Sequence, residues 1–322
     1  METYFITGAT GFIGSWIVKA LIERGDDVIG FDCSDDPRRL LAIMDAADVA
    51  RVHLSTGDIT DSRTVHAAVA NSGSRRIIHL AGLQVPACRT DPVVGAAVNV
   101  VGTLNIFEAA RTIGAERIVY ASSAAVYGAS EAKPMSELAA CAPATHYGVF
   151  KSANEGNARV YFLEHGLTSV GLRPLTVYGV GRDTGLTSDP TKAMKAAILD
   201  RPFHIRFSGA TDFQYVADTA AAFIACADRT PQGAHVFNLH GETVQVSAII
   251  ETIRKHLPEQ SRQLVTFGGS PIPFPPAMDD SAIRATIGNI PSTPLEAGVR
   301  ATMDQFRQLR DEGRLDTSDI DG

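Results

Sequence analysis

Three glycines spaced by three, Gly8, Gly11 and Gly14, fix what the start of this chain can become. Before them, Tyr4, Phe5 and Ile6 read as the end of a short buried strand. After them, Phe12, Ile13, Trp16, Ile17 and Leu21 recur at helical spacing. A strand that turns straight into a helix leaves backbone N–H groups unpaired and aimed at one spot, with the positive end of the helix dipole behind them. A diphosphate is stabilised in such a seat. Gly8 allows the tight turn, Gly11 removes the side chain that would block the phosphate, and Gly14 lets helix and strand pack closely. Thr10, Phe12 and Ile13 complete the loop. A glycine-rich loop without a ligand has the same composition, so the context decides. Val28-Ile-Gly-Phe-Asp32 reads as a second buried strand ending in a carboxylate. That acid accepts hydrogen bonds from the two ribose hydroxyls of an adenosine and repels a 2′-phosphate. NAD is therefore expected over NADP, although Arg38 and Arg39 keep a partner for a 2′-phosphate within a few residues.

The 322 residues suffice for one large α/β domain with an appended lobe. An apolar share of 45% and a charged share of 20% are ordinary for a soluble globular protein. The net charge of −7 offers no basic field for nucleic acid. Cys33, Cys88, Cys141 and Cys226 lack metal-ligand spacing, so no metal is expected and the thiols fit a reducing cytoplasm. No uninterrupted apolar run approaches the roughly 20 residues that span a bilayer. Met1 leads almost at once into the first strand, which leaves no room for a signal peptide. The expectation is a soluble, cytoplasmic protein with no membrane partner.

Strand and helix patterns alternate through the first half, which predicts a parallel sheet covered on both faces. Strands are expected at 52–61, 76–82, 117–123 and 169–173, with helices at about 62–70, 94–109 and 147–165 between them. Right-handed crossovers make this an α/β fold, a Rossmann-type doubly wound parallel sheet, with a smaller C-terminal substrate-binding lobe. Residues 1–173 are assigned to the nucleotide-binding domain and 174–322 mainly to the lobe, with about 211–240 returning to the sheet domain. Gly179 to Pro190 reads as a substrate-facing loop. Pro271 to Pro276 reads as a stiff surface connection, and the last ten residues as a frayed tail.

Tyr147 and Lys151 stand four apart at a helix start and project from one face. A tyrosine is a poor base at neutral pH, and the ammonium of Lys151 together with an oxidised nicotinamide would favour its phenolate. The pair can remove a hydroxyl proton while hydride leaves the same carbon. Such spacing also describes a solvated helix face with a packed aromatic. Ser123, at the carboxyl end of a predicted strand, adds a hydroxyl that can hold the substrate oxygen against Tyr147; Ser122 beside it reads as structural. Asn99 reads either as a member of a proton relay or as a helix cap.

Taken together these stretches resemble the extended short-chain dehydrogenase/reductase family, the NAD-dependent epimerase/dehydratase group. The matching motifs are Thr7-Gly-Ala-Thr-Gly-Phe-Ile-Gly14, Gly57-Asp-Ile-Thr-Asp61, His79-Leu-Ala-Gly82, Asn99-Val-Val-Gly-Thr103, Ser122-Ser-Ala-Ala-Val-Tyr-Gly128, Tyr147-Gly-Val-Phe-Lys151 and Arg173-Pro-Leu-Thr-Val-Tyr-Gly179, with a looser match at Phe213 to Asp218. The resemblance implies that Asp58 and Ile59 contact the adenine, and that Leu80, Ala81 and Gly82 wall the cofactor. It further implies that Lys151 holds the nicotinamide ribose and that Pro174 lies against the nicotinamide. By the same resemblance Ser123, Tyr147 and Lys151 are catalytic, Asn99 supports them, and a homodimer forms through the helices around 94–111 and 147–165.

Two departures bear on the substrate. The nucleotide-sugar epimerases of this group commonly carry an Asn where this chain has Thr176, and an Arg that contacts the diphosphate where it has Thr211. Arg182 or Arg206 could substitute as the diphosphate contact; short of that, the loss favours a smaller substrate, such as a free sugar, an aldonate or another polyhydroxy acid. Ala124 and Ala125 stand where the related dehydratases carry an acidic pair, which argues against dehydration. Gln84, Ser123, His146, Thr176, Arg182, Thr187 and Ser188 are the candidate substrate contacts, with Arg182 first for a carboxylate. Arg182 reads equally as a surface charge, His146 as a packed helix-start residue, and Thr187 and Ser188 as caps of the next helix. An NAD-dependent dehydrogenase of a secondary alcohol is the leading expectation, a (nucleotide-)sugar epimerase with retained NAD the alternative, and a non-catalytic NAD-binding regulator the third.

Overall fold

The computed structural model describes residues 1–129 and 134–321. Seven strands form one parallel sheet: β1 (Thr3–Thr7), β2 (Asp27–Asp32), β3 (His53–Thr56), β4 (Arg76–His79), β5 (Arg117–Ala121), β6 (Ser169–Arg173) and β10 (Ala234–Asn238). Their spatial order is β10-β6-β5-β4-β1-β2-β3, so the chain reverses direction across the sheet on either side of β1. Alternation along each strand shows why both faces must be covered. Tyr4 and Ile6 of β1, Ile78 of β4 and Val119 of β5 pack into one core; Phe5, Ile77, Ile118 and Tyr120 pack into the other. The first core is sealed by helices Phe12–Arg24 and Val216–Arg229, the second by Ser62–Ser72 and the helical stretch Pro92–Ile113.

Helix ends follow local chemistry. The Asp61 carboxylate accepts from Arg63 N and Thr64 N, and Gly73 closes the same helix in the left-handed region at φ 64°. Thr145 caps helix His146–His165 by accepting from Gly148 N. The stretch Pro92–Ile113 opens on an Asp91 cap and carries a π-helical turn at Ala97–Val101. By length and composition this 22-residue stretch could cross a membrane, with a mean hydropathy of 1.5 in an 18-residue window, which the sequence expectation overlooked. It packs as a core helix through Ile106, Phe107, Ala109 and Ala110. Polar and glycine positions interrupt the run, which is why no unbroken apolar tract marks it.

Beyond β6 the chain builds two further small sheets. β7 (Thr176–Tyr178) pairs parallel with β9 (Ala210–Tyr215), which pairs antiparallel with β11 (Glu242–Gln245). β8 (Phe203–Ile205) pairs with β12 (Val265–Phe267). The apolar core continues without a break from Tyr4 to Ile249, Val299 and Phe306. Two expectations need correction. The final residues are docked rather than frayed: buried Lys195 donates to Asp319 Oδ1 at 2.6 Å and to Asp316 O at 2.9 Å. The proline-rich stretch is not a surface connection, because Pro275 is buried and Phe274 walls the main cleft.

One buried ion pair ties the end of β6 to helix His146–His165. Arg173 donates through Nε and Nη2 to Glu155 at 2.8 and 2.6 Å, and Glu155 also accepts from Ser122 Oγ. Replacing Arg173 with Met strands a buried carboxylate, and such losses cost about 3–5 kcal/mol. Urea unfolding of Arg173→Met is expected to show that loss. The double variant Arg173→Met/Glu155→Leu is expected to regain most of it, since no charge is then left unpaired.

Candidate active site

At the carboxyl ends of the parallel strands lies a cleft of about 720 Å³. Its floor is the turn from β1. Gly8 adopts φ +70°, and a Cβ there would come within 2.8 Å of Ala81 N; one on Gly14 would meet Gly8 O at 2.0 Å. The close approach of loop, helix and β4 therefore excludes side chains at both positions. Helix Phe12–Arg24 begins at Gly11 with no side-chain cap, so the first-turn N–H groups face the cleft bare. Thr7 Oγ1 accepts from Leu80 N and Ala81 N, both at 3.2 Å, which locks the wall to the floor.

Asp32 ends β2 at the cleft edge. Its carboxylate accepts from Thr10 N at 3.0 Å and Cys33 N at 2.8 Å and keeps lone pairs for a further donor. Arg39, which the sequence left open as a 2′-phosphate partner, is taken: Nη2 donates to Asp183 at 2.8 and 2.9 Å, and Nη1 to Thr10 O at 3.2 Å. Arg38 is exposed and pairs with Asp36 and Asp316. An uncapped helix start, a glycine cradle and an acid without a free cation beside it fit an unphosphorylated dinucleotide. Gly8, Gly11, Phe12, Ile13, Gly14, Asp32, Asp58, Ile59, Leu80, Ala81, Gly82 and Pro174 all line this cleft. Thr10 does not; it is buried and contributes its backbone.

At the other end stand Ser123, Tyr147 and Lys151, brought together from the loop after β5 and from helix His146–His165. Lys151 is buried and donates to Ala121 O at 2.7 Å; burial pushes its ammonium down to about 8, while Cys88 and Glu155 hold it up. Burial also pushes the Tyr147 phenol up. Hydrogen bonding from Ser123 opposes that rise, and so does the positive charge of Arg182. The Lys151 ammonium lies 5.5 Å from the Tyr147 ring centroid and donates to a backbone carbonyl.

Gln84, Arg182 and Thr187 line the same end, with Arg182 Nη2 donating to Thr187 Oγ1 at 3.2 Å. Three of the expected substrate contacts sit elsewhere. His146 is exposed and stacks on Phe150. Thr176 is buried and shares a 2.6 Å hydrogen bond with Thr211. Ser188 is buried and donates to Gly185 O at 2.9 Å. Asn99 lies behind the wall at the π turn, its Nδ2 donating to Leu83 O, Gly95 O and Cys88 Sγ, its Oδ1 buried without a partner. Sequence reasoning missed Leu83, Val85, Leu186 and Phe274, apolar lining residues with no motif to mark them, and did not single out Leu175 and Val177 within the Arg173–Gly179 motif.

Comparison with known proteins agrees with this geometry. The NAD dependent epimerase/dehydratase family matches residues 4–239. A UDP-glucose 4-epimerase of Mycolicibacterium smegmatis is 29% identical over 94% of this chain and 97% of its own. UDP-glucuronate 4-epimerase 1 of Arabidopsis thaliana is 30% identical over 92% of this chain and 74% of its own. The crystal structure of Thermus thermophilus UDP-glucose 4-epimerase in complex with NAD superposes with a TM-score of 0.82 at 26% identity, covering 95% of this chain and 99% of that one.

Behind the wall a polar chain runs through the interior. His79 Nδ1 meets Thr7 Oγ1 at 2.6 Å and His79 Nε2 meets Thr103 Oγ1 at 3.0 Å; Thr103 Oγ1 and Asn154 Nδ2 both donate to Asn99 O. Burial, with the Lys151 charge adding to it, pushes His79 down to about 3. An unfolded histidine titrates near 6.5, so between about 6.5 and 3 the unfolded chain binds a proton the folded one refuses. The stability that neutral His79 permits is present above 6.5 and is lost as pH falls. Against His79→Gln, the wild-type advantage in urea unfolding is expected to shrink by about 1.4 kcal/mol per pH unit below 6.5. Parallel curves would show that His79 does not carry this dependence.

Proposed function

The chain belongs to the NAD-dependent epimerase/dehydratase family, and from that premise we propose that it withdraws a hydride and a proton from a secondary alcohol of a sugar-derived substrate and returns them, inverting the carbon. The observation that carries this is one cleft with the uncapped glycine loop and Asp32 at one end and Ser123, Tyr147 and Lys151 at the other. The Gly8–Gly14 loop would hold the cofactor's diphosphate, Asp32 the adenosine ribose, Asp58 and Ile59 the adenine, and Lys151 the second ribose. When bound, NAD supplies a hydride acceptor that can also give the hydride back.

The chain's own groups handle the proton. Ser123 Oγ donates to the substrate oxygen and sets it against Tyr147 Oη, which accepts the hydroxyl proton. Arg182 favours the phenolate form needed for that step. Lys151, held on Ala121 O, orients the cofactor end, and Asn99 supports the wall behind it. Inversion, rather than release of a ketone, is favoured by the likeness to 4-epimerases across nearly the whole chain. Net dehydrogenation, the leading expectation from sequence, is the second reading; among the described residues Arg182 is a cleft-lining cation with no carboxylate partner, which suits a small acid and favours it.

Tyr147→Phe removes the proton acceptor and keeps the ring. Turnover of a reacting sugar is expected to fall by about 10²–10⁴-fold with NAD affinity retained. A variant within tenfold of wild type would end the assignment. NADH accumulation at 340 nm separates the two readings, since inversion leaves none.

We propose a homodimer as well. Val93, Val94 and Val101 on one helix and Val149, Val160 and Leu163 on its neighbour are exposed together, a patch that a second copy would cover. Sedimentation is expected to give a dimer for the wild type and a monomer for Leu163→Arg, with the monomer still folded by circular dichroism.

A further inference from the structure

One guanidinium in the cleft has no counter-ion. Among the described residues no carboxylate pairs with Arg182; its neighbour Asp183 grips Arg39 instead. Arg182 Nε is buried and bonds to nothing, and the guanidinium lies 5.6 Å from the Phe12 ring centroid. It is held in place from the other side by Gly185. At φ 103° a Cβ on Gly185 would meet Gln84 Oε1 at 2.0 Å and Arg182 Nη2 at 3.0 Å, so carboxamide and guanidinium converge there. With Thr187 Oγ1 they make a polar corner in an end otherwise lined by Leu83, Val85, Leu175, Val177 and Leu186.

Among the described residues Arg182 and Lys151 are the cations that line this cleft. Arg206 makes three hydrogen bonds to Asp189, Arg173 is paired with Glu155, and Arg284 with Asp280. Lys151 donates to Ala121 O. Between β7 and β9, Thr176 and Thr211 are buried and share one hydrogen bond at 2.6 Å, so that face offers a ligand no charge. A diphosphate brings two negative charges and needs cations or several donors for its oxygens. A carboxylate brings one charge and matches a single guanidinium fork.

We infer that the substrate is a monoanionic hydroxy acid whose carboxylate binds Arg182, Gln84 and Thr187, and not a nucleoside-diphosphate sugar. The inference rests on the proton transfer proposed above only for where the reacting hydroxyl sits, at Ser123 and Tyr147. Arg182, Gln84 and Thr187 line the same cleft as Ser123 and Tyr147, so carboxylate and reacting carbinol belong to one small molecule.

Calorimetric titration of the NAD-loaded protein tests this without turnover. The probes are D-glucuronate, D-gluconate, L-threonate and 3-hydroxybutyrate, set against UDP-glucose and UDP. At least one acid is expected to bind at least tenfold more tightly than UDP-glucose. Arg182→Gln is expected to weaken it by about 10- to 100-fold, and Arg182→Lys to restore part of the loss. For an acid that reacts, the loss appears in KM more than in kcat. Binding of UDP or UDP-glucose at least as tight as that of every acid overturns the inference, as does acid binding indifferent to Arg182→Gln, or no acid binding at all. Acid binding that depends on Arg182 with no hydride exchanged would instead sink the proposed reaction and leave the anion seat standing.

Discussion

Parallel pairing of β1 with β2 on one side and β4 on the other is the constraint from which the rest follows. Thr7 stands level with Phe31 and with His79, so the three strands end along one line. The glycine turn, the Asp32 carboxylate and the Leu80–Gly82 wall are therefore neighbours before any ligand is considered. A one-residue slip in either pairing would exchange Tyr4 and Ile6 for Phe5 between the two cores, and the apolar surface on both faces forbids it. Burial thus sets the register, and the register sets the site.

What was legible in the sequence is what is local or has a strict backbone requirement. The Gly8–Gly14 turn, Asp32 at a strand end and the Tyr147–Lys151 spacing each lie within one element and its cap, and the structure brings them to one cleft. The first six parallel strands follow from alternating patterns and the hand of crossovers, and β10 falls within the stretch expected to return to the sheet domain; the spatial order of the seven came only from the structure. What was not legible depends on partners distant along the chain. Asp183 silences Arg39, Phe274 reaches the cleft from a proline-rich stretch, and Asp319 docks a polar tail on Lys195. Each rests on a pairing that neither periodicity nor composition records.

Thr176 and Thr211 show a subtler limit. Each could be read singly as a departure from a motif. Only the structure shows that the two hydroxyls face each other and close, at 2.6 Å, the surface between two strands. Neither threonine carries a charge there, and both are buried. The same logic separates Arg206, spent on Asp189, from Arg182, which has no such partner.

The electrostatics of the cleft turn on which charge wins at Tyr147. Desolvation raises the phenol, and a cation must offset it before the group can serve as a base near neutral pH. Lys151 can contribute, since at about 8 most of it is still charged near neutral pH. Arg182 can too, since a guanidinium stays charged even when burial pulls it down to about 10. A cation that both favours the phenolate and lacks a counter-ion couples substrate charge to proton transfer: an anion seated on Arg182 reduces its pull on Tyr147 just when the hydroxyl arrives. When bound, an oxidised nicotinamide would supply a further positive charge that favours the phenolate.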